Sequence, residues 1–294
     1  MVALAQSIVR NVQQPSKGPD HPRRHLCSIL GISYPLPLPP APDLMGVDGR
    51  LSLGATPDRR LRGWRMPDGV FVPAILLRPP GPIKGALLAA GDSGKEALLD
   101  HPALKDLYAA GWALLLADVR GTGELAITKP GWVYATSLLL GENFVGRQAL
   151  DLVAGVRALR GEPWLQGKPV GVLASGRFAS LAGLYAAVLE PDIAWLAGEH
   201  GFASFRAFLD RPRSMPISFT LAAVGREREV QLDREIPHAI VPCGVLRGSD
   251  IPALLQSVGQ NRTVWAAAVD GDFEPVPGPG SALEFIHARM EETR

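Results

Sequence analysis

Beyond about Gly63 the chain alternates short apolar runs, closed by turn residues, with longer segments whose apolar positions recur at helical spacing. Val70 to Leu77 and Gly85 to Ala90 read as strands separated by the turn Pro79-Pro-Gly-Pro82, and this first pair is expected to run antiparallel. Leu99 to Ala110 has helical spacing and stops at Gly111. Trp112 to Ala117 is continuously apolar, the mark of a strand covered on both faces. The alternation continues with a helix over Gln148 to Arg160, a strand over Val170 to Ala174 and an Ala-rich helix over Ser180 to Leu189. Strands at Ile193 to Ala197 and Val264 to Val269, and a last helix over Ser281 to Arg294, complete the pattern. This order predicts an α/β fold, a mostly parallel sheet with helices on both faces. In such sheets ligands bind beyond the carboxyl ends of the strands.

The segment before this alternation has a different texture. It holds a short helical stretch, a basic pair at Arg23 and Arg24, and then Tyr34-Pro-Leu-Pro-Leu-Pro-Pro-Ala-Pro42. Prolines at that density hold a backbone extended and without a hydrogen-bond ladder, so the reading is a proline-rich N-terminal arm. The apolar residues between the prolines need cover, which favours packing on the domain over presentation to an SH3-like partner. The expected organisation is an arm and leader over residues 1–62 and one domain over residues 63–294.

Composition narrows the function classes. With 294 residues and 47% apolar content the chain can bury the core of one large domain. A formal net charge of +1 with 20% charged residues gives no field that would recruit nucleic acid or an anionic membrane, so a small molecule is the better-suited partner. The two cysteines, Cys27 and Cys243, have no metal-ligand spacing and form no disulfide framework; buried thiols are expected, with no metal and no cofactor. The N-terminal run lacks the basic start and cleavage site of a signal peptide, and no apolar run reaches the roughly 20 residues that span a bilayer. The expectation is a cytoplasmic protein.

Four strand ends should carry any chemistry: Ala89-Ala-Gly-Asp-Ser-Gly-Lys95, Ala117-Asp-Val-Arg-Gly-Thr-Gly-Glu124, Leu173-Ala-Ser-Gly-Arg-Phe178 and Val269-Asp-Gly-Asp-Phe273. The spacing of the first fails a nucleotide phosphate loop, and Gly121-Thr-Gly123 lacks the third glycine of a dinucleotide fingerprint. Asp118 and Arg120 are expected to pair within their loop. Asp118-Val-Arg-Gly-Thr-Gly-Glu124 after an apolar strand, followed by Val170-Gly-Val-Leu-Ala-Ser-Gly-Arg-Phe-Ala179 and an Ala-rich helix, resembles the acetyl xylan esterase and cephalosporin deacetylase branch of the α/β-hydrolases. The likeness runs from about Arg24 to Phe273 and includes Ile240 to Leu254, similar to the stretch before that family's acid-bearing strand.

The resemblance implies a serine at a G-x-S-x-G elbow between strand and helix. In that register Ala174 takes the first glycine, Gly176 the nucleophile and Phe178 the last glycine, so the serine is missing from its place. Ser175 can serve only if the strand ends one residue sooner, with Leu173 and Arg177 where small residues are wanted; Ser180 reads as a small residue in the helix's first turn. Asp272, rather than Asp270, resembles the orienting acid of a triad. For the base, His200 in Gly198-Glu-His-Gly-Phe202 is better placed than His287 inside the last helix, with Glu199 as an alternative acid; His101, before Pro102, reads as a helix cap. Backbone N–H groups of Gly91, Asp92 and Ser93 take the place of the family's oxyanion loop.

Two functions follow. The first is a carboxylic ester hydrolase of acetyl esterase type, in which Ser175, His200 and Asp272 act on a small acylated substrate. The second is a catalytically degenerate homologue that binds a small ligand or serves as an accessory protein. The segment after Asp272 leaves no room for the family's final strand, so another chain is one source for it, and a homo-oligomer or a protein partner stays open.

Overall fold

The computed structural model describes residues 21–46, 59–128, 130–207, 242, 244–246, 249–270, 274–276 and 280–292. Among these, eight strands form a single sheet: β1 (Met45–Gly46), β2 (Arg59–Arg65), β3 (Phe71–Leu77), β4 (Gly85–Gly91), β5 (Trp112–Ala117), β6 (Val170–Ser175), β7 (Trp195–Glu199) and β8 (Thr263–Ala266). Their order is β1-β2-β3-β5-β4-β6-β7-β8. The last five in that order are parallel to one another, while β1, β2 and β3 pair antiparallel at one end. The first two predicted strands run in opposite directions as expected but are not neighbours: β5 lies between β3 and β4, with Ala74 opposite Ala117 on one side and Leu88 opposite Leu115 on the other. Pro79, Pro80 and Pro82 supply no backbone donors and cannot close a tight hairpin, so the chain crosses over β5's position instead.

Among the described residues seven helices cover the two faces: α1 (His21–Leu30), α2 (Pro102–Ala109), α3 (Pro130–Leu139), α4 (Phe144–Arg160), α5 (Arg177–Leu189), α6 (Ile251–Val258) and α7 (Ala282–Glu292). Because successive strand side chains point to opposite faces, each central strand feeds two cores. Ala86, Leu88, Leu115, Val172 and Ala174 meet α1, α4, α5 and α6 in the larger one. Leu87, Leu114, Leu116, Leu173 and Trp195 meet α2 and α7 in the smaller. The Asn143 side chain caps α4 by accepting from the Gly146 N–H at 2.9 Å. On α4, a Cβ at Gly155 would stand 2.7 Å from the Trp64 ring, so only glycine lets that helix settle on β2. Cys27 on α1 is buried beside Leu26 and Leu30, and burial pushes its thiol up to about 11.

Tyr34, Leu36 and Leu38 lie against the larger core without forming helix or strand, and Arg157 donates to the Pro39 carbonyl at 3.3 Å. Two charged knots fix the strand-end loops. Asp118 accepts from the Lys95 N–H and Nζ, each at 2.6 Å, and from the Glu124 N–H at 2.9 Å; Lys95 also bonds Glu124. Arg120 instead turns away and grips fully buried Asp151 with Nε at 2.9 Å and Nη2 at 2.7 Å, and reaches Asp68 at 2.8 Å. The expected Asp118–Arg120 pair is therefore replaced by two separate partnerships, Asp118 with Lys95 and Arg120 with Asp151. Burial lowers the Arg120 guanidinium, but the hydrogen bonds and charge of Asp151 outweigh it and hold the group well above its ordinary range. No helix among the described residues is long and apolar enough to cross a membrane.

Candidate functional site

The carboxyl ends of β4, β6 and β7 lie side by side, and the chain passes from β6 into α5 through Gly176. Gly176 has φ 119° and ψ 171°, a conformation in effect restricted to glycine. The strand-to-helix turn of the resemblance is thus present, but in a form that no side chain shares. Helix α5 begins at Arg177, three residues ahead of the expected start, with no cap from its own neighbouring side chains.

Its cap comes from β4. Asp92 accepts from the Ala179 N–H at 2.8 Å and the Phe178 N–H at 3.2 Å, with the Arg177 N–H a third donor. A Cβ on Gly176 would stand 2.3 to 2.7 Å from the Asp92 carboxyl atoms, so the carboxylate fills the space into which an elbow side chain would project. One edge of Asp92 stays open to solvent, yet protein atoms crowd its carboxyl. That burial raises it above the ordinary carboxylate range, against the three backbone donors and the Arg177 charge, which pull it down. Tyr134 of α3 stands over the site, its ring stacked on Phe178 at 5.7 Å and tilted against Phe144 at 5.1 Å. Burial, then the Asp92 charge, push the Tyr134 phenol up.

The loop after β4 was expected to offer donors from Gly91, Asp92 and Ser93. Of these the Asp92 N–H is spent on the Ser175 carbonyl at 3.0 Å, the N–H groups of Gly94 and Lys95 next along bond Gly91 and Asp118, and the Asp92 side chain adds an acceptor. The donors that face outward at this edge belong to α5's first turn, and Asp92 holds them.

Ser175 leaves β6 on the other face, the one it shares with Leu173 and opposite that of Ala174. Its register partner on β7 is Glu199, and the two side chains hydrogen-bond. His101 Nε2 meets Glu199 Oε2 at 3.0 Å, so the His101 side chain pairs with an acid where a cap was expected, and its Nδ1 is buried without a hydrogen bond. Burial raises Glu199, but His101 with the nearby His200 and Ser175 outweighs it and lowers the carboxyl below its usual value. His200 is exposed at φ 59°, with its N–H on the Ala266 carbonyl at 3.0 Å. Among the described residues no hydrogen bond joins Ser175 to His200. Asp272 lies outside the described residues; Asp270 closes its own turn, accepting from the Glu274 N–H at 3.0 Å. His287 pairs with Asp106 at 2.9 Å across α7 and α2. Ser180 is buried and ties the ends of β6 and β7 together through Ala174 and Glu199.

The pairing of His101 with Glu199 had a faint trace in the sequence, two polar residues at strand and helix ends. Asp92 at the elbow had none, because 84 residues separate it from Gly176. Among the described residues no three His, Cys, Asp or Glu side chains converge as metal ligands.

No protein-family profile matches the chain, and no curated protein does. Solved structures do. A protein assigned as an acetyl xylan esterase from Bacteroides fragilis superposes with a TM-score of 0.61 at 14% identity, over 99% of this chain and 79% of that one. The α/β hydrolase GrgF from Penicillium has 21% identity, with a TM-score of 0.39 over 49% of this chain, and the match spans 46% of GrgF. A 2,6-dihydroxy-pseudo-oxynicotine hydrolase has 17% identity and a TM-score of 0.47 over 81% of this chain and 67% of that one. The sheet order, the turn at Gly176 and the superposition over nearly the whole chain make this an α/β-hydrolase fold.

Proposed function

We propose that this chain is a non-hydrolytic protein of the α/β-hydrolase fold that binds a small ligand at the carboxyl edge of its sheet. The observation that carries the reading is the Asp92 carboxylate in the space of the elbow side chain, bonded to the first-turn N–H groups of α5. An acyl-transfer site needs a nucleophile there and free donors for the oxyanion. Gly176 offers no nucleophile, and a substrate carbonyl oxygen would have to displace an intramolecular carboxylate from those donors. The edge that remains carries the Asp92 acid beside the stacked rings of Tyr134 and Phe178, groups suited to contacting a ligand.

A second reading, an esterase with a displaced nucleophile, draws on the Ser175–Glu199–His101 cluster. Its weakness is chemical. Glu199 accepts from both partners and is lowered, which makes it a poor base, and Ser175 points to the opposite face from Asp92. The test is labelling of wild-type and Ser175→Ala protein with a fluorophosphonate, alongside p-nitrophenyl acetate turnover. No labelling and equal background rates are expected; labelling that disappears in Ser175→Ala would establish the esterase.

A further inference from the structure

The outward face of α3 is unlike the rest of the surface. Among the described residues the large hydrophobic side chains left exposed are Trp132 (75%), Leu138 (45%), Leu139 (87%) and Leu140 (72%), all within nine positions. No charged residue occurs from position 130 to 141. The inner side of the helix is occupied: Tyr134 packs on Phe144 and Phe178, and Val133 and Ser137 are half-buried. An apolar patch of this kind on an otherwise polar surface marks an interaction site, and ten helical residues are too few to span a bilayer.

We propose that this face docks a second copy of the chain, α3 against α3 about a twofold axis. A patch without charge offers nothing to a charged partner and is complementary to itself. Trp132 and Leu139 stand seven residues apart on one side of the helix, about 10 Å along its axis. An antiparallel copy therefore brings each Trp132 against the partner's Leu139, the reciprocal contact that a twofold interface requires. Thr136, exposed and half-way between them, falls near the axis. The four side chains present on the order of 500 Å² per copy, short of the ~800 Å² per partner of a standard stable interface. The dimer is accordingly a weak one that forms as concentration rises. Because the same helix carries Tyr134 over Asp92, association holds the cover of the ligand site in place; the dimer itself does not depend on what that site binds.

Sedimentation equilibrium of the full chain over about 5 to 500 µM is expected to show a monomer passing into a dimer as concentration rises. Leu139→Glu should stay monomeric over the same range with an unchanged far-ultraviolet circular dichroism spectrum. Oxidised Thr136→Cys should run as a covalent dimer, whereas Ala97→Cys, exposed elsewhere, should not. A wild-type monomer at every concentration overturns the proposal, whether or not Leu139→Glu folds. A dimer that survives Leu139→Glu without Thr136→Cys cross-linking overturns it too. Flotation of a monomeric wild type with zwitterionic vesicles assigns the face to a lipid surface. Dimerisation only after deletion of residues 1–20 assigns it to the chain's own N-terminal segment.

Discussion

Asp92 follows β4 and Glu199 ends β7, the strands on either side of β6, yet the two acids are tuned in opposite directions. Glu199 faces a histidine and a serine, and its charge is favoured. Asp92 faces backbone N–H groups at a helix start, and crowding outweighs them. One carboxylate belongs to a side-chain pair linking β7 to the start of α2. The other takes the place of a ligand: it sits in an anion site that the fold builds from a helix terminus. The contrast teaches that a strand-end acid is understood from what donates to it, and that an anion site can be filled from within the chain.

The largest effect sets the scale for that contrast. Asp151 is a structural acid, wholly buried and clamped by Arg120, and Asp151→Ala leaves a guanidinium charge without its main partner. Urea unfolding should show a loss of about 3–5 kcal/mol. A loss under about 1 kcal/mol would erase the distinction between scaffold and site acids. Next comes the elbow itself. Gly176→Ser meets both the glycine-only torsions and the Asp92 carboxyl, and should cost about 2–3 kcal/mol. Asp92→Ala removes the cap of α5, at about 1–2 kcal/mol. Combined, the two should cost about 1 kcal/mol less than their sum, because the collision is gone while the torsional strain remains. Strict additivity in that cycle would mean that the carboxylate does not occupy the side-chain space.

The smallest effect is the sign of two pH dependences. Glu199 is lowered by folding, so its contribution is present above the unfolded carboxyl value and is lost as pH falls through its folded value. Asp92 is raised, so the folded state holds its proton longer and wild-type stability declines as pH rises from the unfolded value through the folded one. Between about pH 3 and pH 7 the cost of Glu199→Gln should therefore grow while that of Asp92→Asn shrinks, each by about 1 kcal/mol or less. Urea midpoints at several pH values read both slopes; parallel slopes would dissolve the contrast.

How much of this was legible follows from how local each cause is. The run Trp112 to Ala117 announced β5 to the residue, since all six side chains are buried. β2 has no legible alternation, because four of its seven residues are arginines and its two large apolar residues, Leu61 and Trp64, stand three apart on opposite faces of the sheet. Helix α4 starts four residues ahead of the expected Gln148, where Asn143 caps it, a signal that is local in sequence. The start of α5 at Arg177 could not have been read at all, because its cap is Asp92, far away in sequence. The same division runs through the site. The missing serine at Gly176 was plain in the sequence, whereas what fills its space depends on how β4 and β6 lie together in register.

The fit between Gly176 and Asp92 also bears on how this sequence can change. A serine placed at the turn alone collides with the carboxylate, and removing the carboxylate alone strips the helix of its cap. Each single step costs stability, and a side chain at 176 finds room only when the Asp92 carboxyl is gone. What position 176 can hold is therefore set by what stands at position 92, and the two positions do not vary independently.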